Sequence, residues 1–167
     1  MLDATPGAEI AMYSNLCRLV REHGIQRVLR MMLQKSHKWI ILLQDPFNKR
    51  SGHWMGLNIL PSRREIYFFS SYGGKPDAEK LQWIPNILLV LSDQDVNALN
   101  DGLYEMKLWG WKVHYNDHPY QFPGDRTATC GIWTSAFLNS DLNPDQFWDL
   151  NKNAHVGAED YFRMYFR

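Results

Sequence analysis

The sequence predicts an α+β fold, a central mixed β-sheet flanked by helices. Three observations carry that expectation. Short aromatic and β-branched runs sit at residues 38–43, 53–60 and 65–70. Apolar residues at helical spacing fill residues 8–32, and helical patterns return after Asp77 and from Cys130. No repeat, charge block or Gly/Ser/Pro-rich linker divides the 167 residues, so a single domain, 1–167, is expected.

In chain order, Ile10, Met12, Leu16, Leu19 and Val20 recur at helical spacing, and Gly24 interrupts them, which predicts one or two helices. Residues 38–43 are apolar enough for a buried strand, and residues 45–52 carry turn chemistry. Strands follow at 53–60 and 65–70, joined by a hairpin connection at 61–64. Residues 71–77 form a loop in which Asp77 is placed to cap a helix, with Pro85 limiting that helix and a second running over 87–103. A strand is expected over 106–115, with the Trp-Gly-Trp of 109–111 as strand packing or groove lining, and then a polar loop over 116–129. Helices are expected over 130–138, 143–150 and 159–166, and Met31 and Met32 belong to the core.

Composition narrows the function. Lys and Arg number 18, Asp and Glu 18, so the net charge is zero and no basic cluster favours nucleic acid. With 45% hydrophobic residues, seven Trp, eight Tyr and eight Phe, the chain can build a core. Its apolar runs are too short to span a membrane, and the start lacks the basic and apolar regions of a secretion signal. Two cysteines, Cys17 and Cys130, do not make a disulfide framework and point to a reduced, intracellular setting. Of the six histidines only His114 and His118 have an i,i+4 spacing, in a stretch that does not look helical. No metal or cofactor is expected, and a monomer is.

The residues with chemistry fall in three places. His53 starts a strand with Trp54 behind it; Ser70 ends the neighbouring strand before a Gly turn; Gln121 lies on a polar loop that ends at Cys130 and Gly131. A thiol at a helix start is acidified by unpaired N–H groups and the positive end of the dipole. Gly131 leaves a bare main-chain N–H for an oxyanion, and an imidazole beside the sulfur completes an ion pair. Each residue alone has a plainer role: Cys130 as a small buried hydrophobe, His53 as a strand-edge histidine satisfied by backbone, Gln121 as an exposed loop residue.

Taken together, His53-Trp54, residues 68–73 with 75–77, Tyr120-Gln121 and the residues 129–131 resemble the adenovirus-protease (adenain) and SUMO-protease clan of cysteine peptidases. The match is strongest to adenain-type proteases of DNA viruses and virus-like mobile elements, and its blocks span residues 38–138. The resemblance implies a papain-like or adenain-like fold, with Cys130 as nucleophile, His53 as general base, Gln121 in the oxyanion hole and Trp54 packed near the site. It also implies a viral-type endopeptidase that cleaves precursor or virion proteins beside small residues, often Gly, in the host cytoplasm or nucleus or in the virion. The alternatives within the clan are an isopeptidase acting on ubiquitin or SUMO conjugates, and a weakened binding module. The partner in either enzymatic case is a protein or peptide, ubiquitin-like in the second.

Two departures stand out. The family places Asp, Glu or Asn where this chain has Ser70, whose hydroxyl can hold the ring of His53 but brings no charge. The nine-residue step from Gln121 to Cys130 is longer than the family's, so the loop between them has to bulge. His53 is expected within hydrogen-bond reach of Cys130.

Overall fold

The computed structural model describes residues 4–121 and 129–152. Five strands form one mixed sheet in the order β1-β2-β3-β4-β5. β2 (Lys38–Asp45), β3 (Asn48–Leu60) and β4 (Glu65–Ser70) pair antiparallel, while β1 (Ala8–Met12) and β5 (Lys112–Tyr115) add parallel edges beside β2 and β4.

Helices cover both faces. On one, α1 (Tyr13–His23), α2 (Ile25–Lys35) and α5 (Ala98–Leu108) bury Leu16, Val28 and Leu103 against Trp39, Ile41, Leu43, Met55 and Leu57. On the other, α6 (Cys130–Ser140) and α7 (Pro144–Lys152) bury Trp133, Phe137 and Phe147 against Ile40, Tyr67 and Phe69. Successive residues of β2 therefore enter different cores, which explains a run that is apolar without alternation.

Several elements differ from the sequence expectation. Residues 8–12 are not helix: β1 pairs in parallel with β2 from Ala8–Lys38 to Met12–Leu42. A five-residue stretch whose Ala8, Ile10 and Met12 also alternate fits either periodicity, and the neighbouring strand decides. The turn at 45–52 shrinks to Pro46 and Phe47, because β3 begins at Asn48 and meets β2 through a register shift at Gln44/Asp45. The helix expected over 87–103 divides into α4 (Asn86–Leu91) and α5. Asp93 takes a left-handed conformation between them, and buried Gln94 closes two hydrogen bonds, 2.8 and 2.9 Å, with the main chain of Gln44.

The strand expected over 106–115 starts late: 106–108 finish α5, a turn follows, and only Lys112–Tyr115 pairs with β4. Met106 is a fully buried residue of α5, Trp109 lies at that helix's C-terminal cap, and only Trp111 packs against the core. Met31 is 45% exposed, since α2 turns Met32 inward instead. The helix expected at 159–166 lies outside the described residues.

Candidate active site

β4 ends at Ser70, opposite Met55, so His53 and Trp54 of β3 run past the last residue of their neighbour. The N-terminus of α6 enters at that point. Cys130, 5% exposed, lies there beside His53 and the main chain of Trp54 and Gly131, each of which lowers the pKa of its thiol. Gly52, directly before the histidine, has φ 147°, and a Cβ there would fall on the Leu43 carbonyl oxygen, so only glycine allows the strand this path.

The imidazole is held on its other side by a residue the sequence did not single out. α3 (Ala78–Trp83) brings Glu79, 5% exposed, beneath the end of β4. The Ser70 hydroxyl donates to Glu79 Oε1 at 2.6 Å, which leaves its oxygen to accept from His53 Nε2 at 2.9 Å. Nε2 also lies 3.2 Å from Glu79 Oε2. The ring hydrogen is thereby assigned to Nε2. Nδ1 is buried and has no hydrogen-bond partner, which leaves it as the ring atom open to take the thiol proton. Tyr72 stacks on the ring at 4.2 Å, and Trp83 meets it edge-on at 6.0 Å.

Glu79 is fixed by its surroundings. The Gly74 N–H donates to Oε1 at 2.9 Å, and a Cβ on Gly74 would overlap the carboxylate. Asp77 stands at the N-cap position of α3 but makes no cap hydrogen bond; it takes the Tyr13 hydroxyl and, at 2.7 Å, the Asn100 N–H. Lys80, 1% exposed, donates to the Tyr13 hydroxyl at 3.0 Å and to the Gln94 and Val96 carbonyls at 3.0 and 2.6 Å. The residues around Glu79 are thus tied to α1 and to the segment before α5. A helix of six residues has little stability of its own, and these buried bonds replace it.

Burial opposes charge on both His53 and Cys130, yet both shift the other way. The pKa of His53 is raised by the Cys130 thiol and then by the Glu79 carboxylate beside its ring. That of Cys130 is lowered by His53 and by the main chain of Trp54 and Gly131. The two shifts together favour a thiolate–imidazolium pair. Cys17 contrasts with it: buried on α1 and bonded to the Val96 carbonyl, its thiol is pushed up to about 11, chiefly by burial.

Gln121 is not an exposed loop residue; it is 7% exposed. Its backbone is anchored to the Ser71 carbonyl, as is that of Tyr120 at 2.7 Å. The Thr129 hydroxyl donates to Gln121 Oε1, so the oxygen end is occupied one residue before Cys130 and the amide NH2 is the end turned elsewhere. The loop between them lies outside the described residues. Trp54 packs at the edge of the α6 core, and its carbonyl accepts from Thr134 at 3.2 Å.

His114 and His118 do not converge: one meets Tyr67 edge-on and the other stacks on Trp148. Among the described residues, Asp117, His118 and Asp145 approach closely enough to hold a metal ion, but the two carboxylates are exposed and pair with the His118 ring at 3.3 and 3.7 Å. No described helix is long and apolar enough to cross a membrane.

No protein-family model matches the chain. Uncharacterized protein V9 of Sputnik virophage is 32% identical to it over 126 residues, which cover 75% of this chain and 64% of that protein. Structures of the SUMO protease Ulp1 with its catalytic cysteine oxidized to a sulfenic or a sulfonic acid align over 97% and 96% of this chain and 66% of theirs. Their sequence identities are 18% and 19%, and both TM-scores are 0.44. The chain spans just under two thirds of the length of each of these proteins.

Proposed function

We propose that the chain is a cysteine peptidase, with Cys130 as nucleophile, His53 as general base and acid, and the Ser70–Glu79 pair as the group that orients and charges the imidazole. The observation that carries this is a buried imidazole, held by Ser70 and Glu79, beside a cysteine that opens a helix, an arrangement that moves the His53 pKa up and that of Cys130 down. A buried thiol that served only as packing would be pushed up, as Cys17 is. In the proposed reaction the thiolate attacks the scissile carbonyl carbon and the C–S bond forms. The carbonyl oxygen takes the negative charge beside the Gln121 amide and main-chain N–H groups near Gly131. As the oxyanion collapses the C–N bond breaks, and His53 gives its proton to the departing nitrogen. Water, deprotonated by His53, then hydrolyses the thioester and restores the thiol.

The substrates are proteins with small residues, often Gly, on the acyl side of the bond, in a viral or virus-like setting. The family resemblance supports that specificity, and the likeness to a virophage protein supports the setting. The test is covalent capture: short peptides and whole folded ubiquitin-like proteins, each ending in a Gly aldehyde or propargylamide, are offered to the parent chain and to Cys130→Ala. A Cys130-dependent adduct with the peptide supports the endopeptidase; an adduct only with the folded ubiquitin-like body supports the isopeptidase; no adduct with either refutes both.

A further inference from the structure

The peptidase reading leaves unassigned a groove of about 500 Å³ between the β2–β3 hairpin and the α3–α4 segment. Its walls include Pro46 and Phe47 on one side and Trp83, Pro85 and Leu88 on the other, and it reaches His53. Cys130, Gly131 and Gln121 do not line it.

We propose that this groove holds the substrate on the leaving-amine side of the scissile bond and selects an apolar or aromatic side chain there. The inference rests on the function proposed above and follows from the division of labour within it. The acyl half of the substrate becomes bonded to the sulfur, with its oxygen among the donors near Gly131 and Gln121. The amine half departs with the proton that His53 supplies, so its nitrogen must lie against the imidazole, and the chain beyond that nitrogen continues away from the sulfur. A groove that contains the imidazole and excludes the nucleophile is where that chain goes.

Its surface states what it takes. Phe47 is 84% exposed and Trp83 37% exposed, an unusual amount of aromatic surface to leave in water beside a reacting centre. α4 adds exposed Ile87 and Leu91 next to Leu88. Among the described residues, the single ionisable side chain on the walls apart from His53 and Tyr72 is Asp45, whose carboxylate accepts the Phe47 N–H at 2.8 Å. No described Lys or Arg lines the groove, so an acidic substrate side chain meets one negative charge there and no positive one.

The experiment compares substrates that share one acyl half. One ends in aminomethylcoumarin, which stops at the leaving nitrogen; two others continue as peptides, with Phe or with Asp in the first positions beyond the bond. The Phe peptide should exceed the Asp peptide in kcat/KM by about tenfold or more. Phe47→Ser, at the exposed hairpin tip, and Leu88→Asp should each erase most of that preference while leaving the coumarin rate within about twofold. A second measurement needs no turnover: the free Phe-bearing amine peptide is titrated calorimetrically into Cys130→Ala, with and without Leu88→Asp. Equal affinity for Phe and Asp peptides, or a Phe preference that both groove variants leave intact, overturns the inference. Binding that Leu88→Asp abolishes, in a chain that cleaves none of the substrates, upholds the groove and removes the peptidase reading instead.

Discussion

Ser70 donates its hydroxyl hydrogen to Glu79 Oε1 across 2.6 Å, and the same oxygen accepts from His53 Nε2 at 2.9 Å. The charge absent from the strand end therefore reaches the imidazole from a different element, partly through a neutral relay and partly directly at 3.2 Å. Glu79→Gln removes the charge and keeps most of the shape. Because the carboxylate raises the pKa of His53, its loss should move the alkaline limb of the pH–kcat/KM profile to lower pH, while the acid limb, set by the lowered thiol, stays nearer its place. The rate near neutrality should fall on the order of 10- to 100-fold, as expected for a charged hydrogen bond of about 1.5–3 kcal/mol. An unmoved alkaline limb would assign Glu79 a purely structural role.

Ser70 can be tested in two directions. Ser70→Ala removes the relay but spares the direct Glu79 contact, so the loss should be about tenfold at most. Ser70→Asp places a second carboxylate against Glu79, and like charges that close force one to bind a proton. It should be worse than Ser70→Ala, and adding Glu79→Gln should restore activity. Steady-state rates of the four chains, parent included, decide whether the two positions share one job.

The two cysteines should separate cleanly. Cys130→Ala should abolish turnover and Cys17→Ser should retain most of it, since the Cys17 thiol sits at about 11 and bonds a carbonyl in the core. Mass spectrometry after iodoacetamide at neutral pH should find the label on Cys130 in the parent. Prior modification at Cys17 would contradict the assignment.

For Gln121, the expected signature lies in kcat. Replacing it with Ala should lower kcat about 10²- to 10³-fold with little change in KM, the behaviour of a donor used only as the oxyanion forms. A rise in KM alone would make it a substrate-binding residue.

Lys80 carries the structural side of the site. Lys80→Met leaves Asp77 buried beside Tyr13 without the cation 3.8 Å away, at a cost on the order of 3 kcal/mol in urea denaturation. A joint Lys80→Met and Asp77→Asn substitution should recover part of that loss. Equal stability of the single and double variants would show that the buried pair is not coupled.

Much of this arrangement was legible because it is local. The run Glu65–Ser70 has the residue types of a strand, and Cys130 before Gly131 begins a helix where the pattern turns apolar. What escaped depends on pairing between distant segments: Ala8–Met12 becomes a strand because β2 lies beside it, and α5 takes Met106 because its face meets the sheet. Glu79 escaped for the same reason. It lies nine positions beyond Ser70, and the intervening loop folds back through the Gly74 contact and the buried Lys80 bonds. The one signal in the sequence was a deficit: a strand end lacking its acid, followed by an acidic residue in the first turn of the next helix.

The residues that acidify Cys130 come from positions 53, 54 and 131, and Glu79 on a short helix acts on it by charging His53. A chain still emerging or partly folded holds none of these next to the sulfur, and its Cys130 is an ordinary, mostly protonated thiol. Reactivity is thus issued only to the finished fold. A rise in thiol reactivity at Cys130 during refolding should therefore serve as a clock for the moment when α3 docks beneath β4.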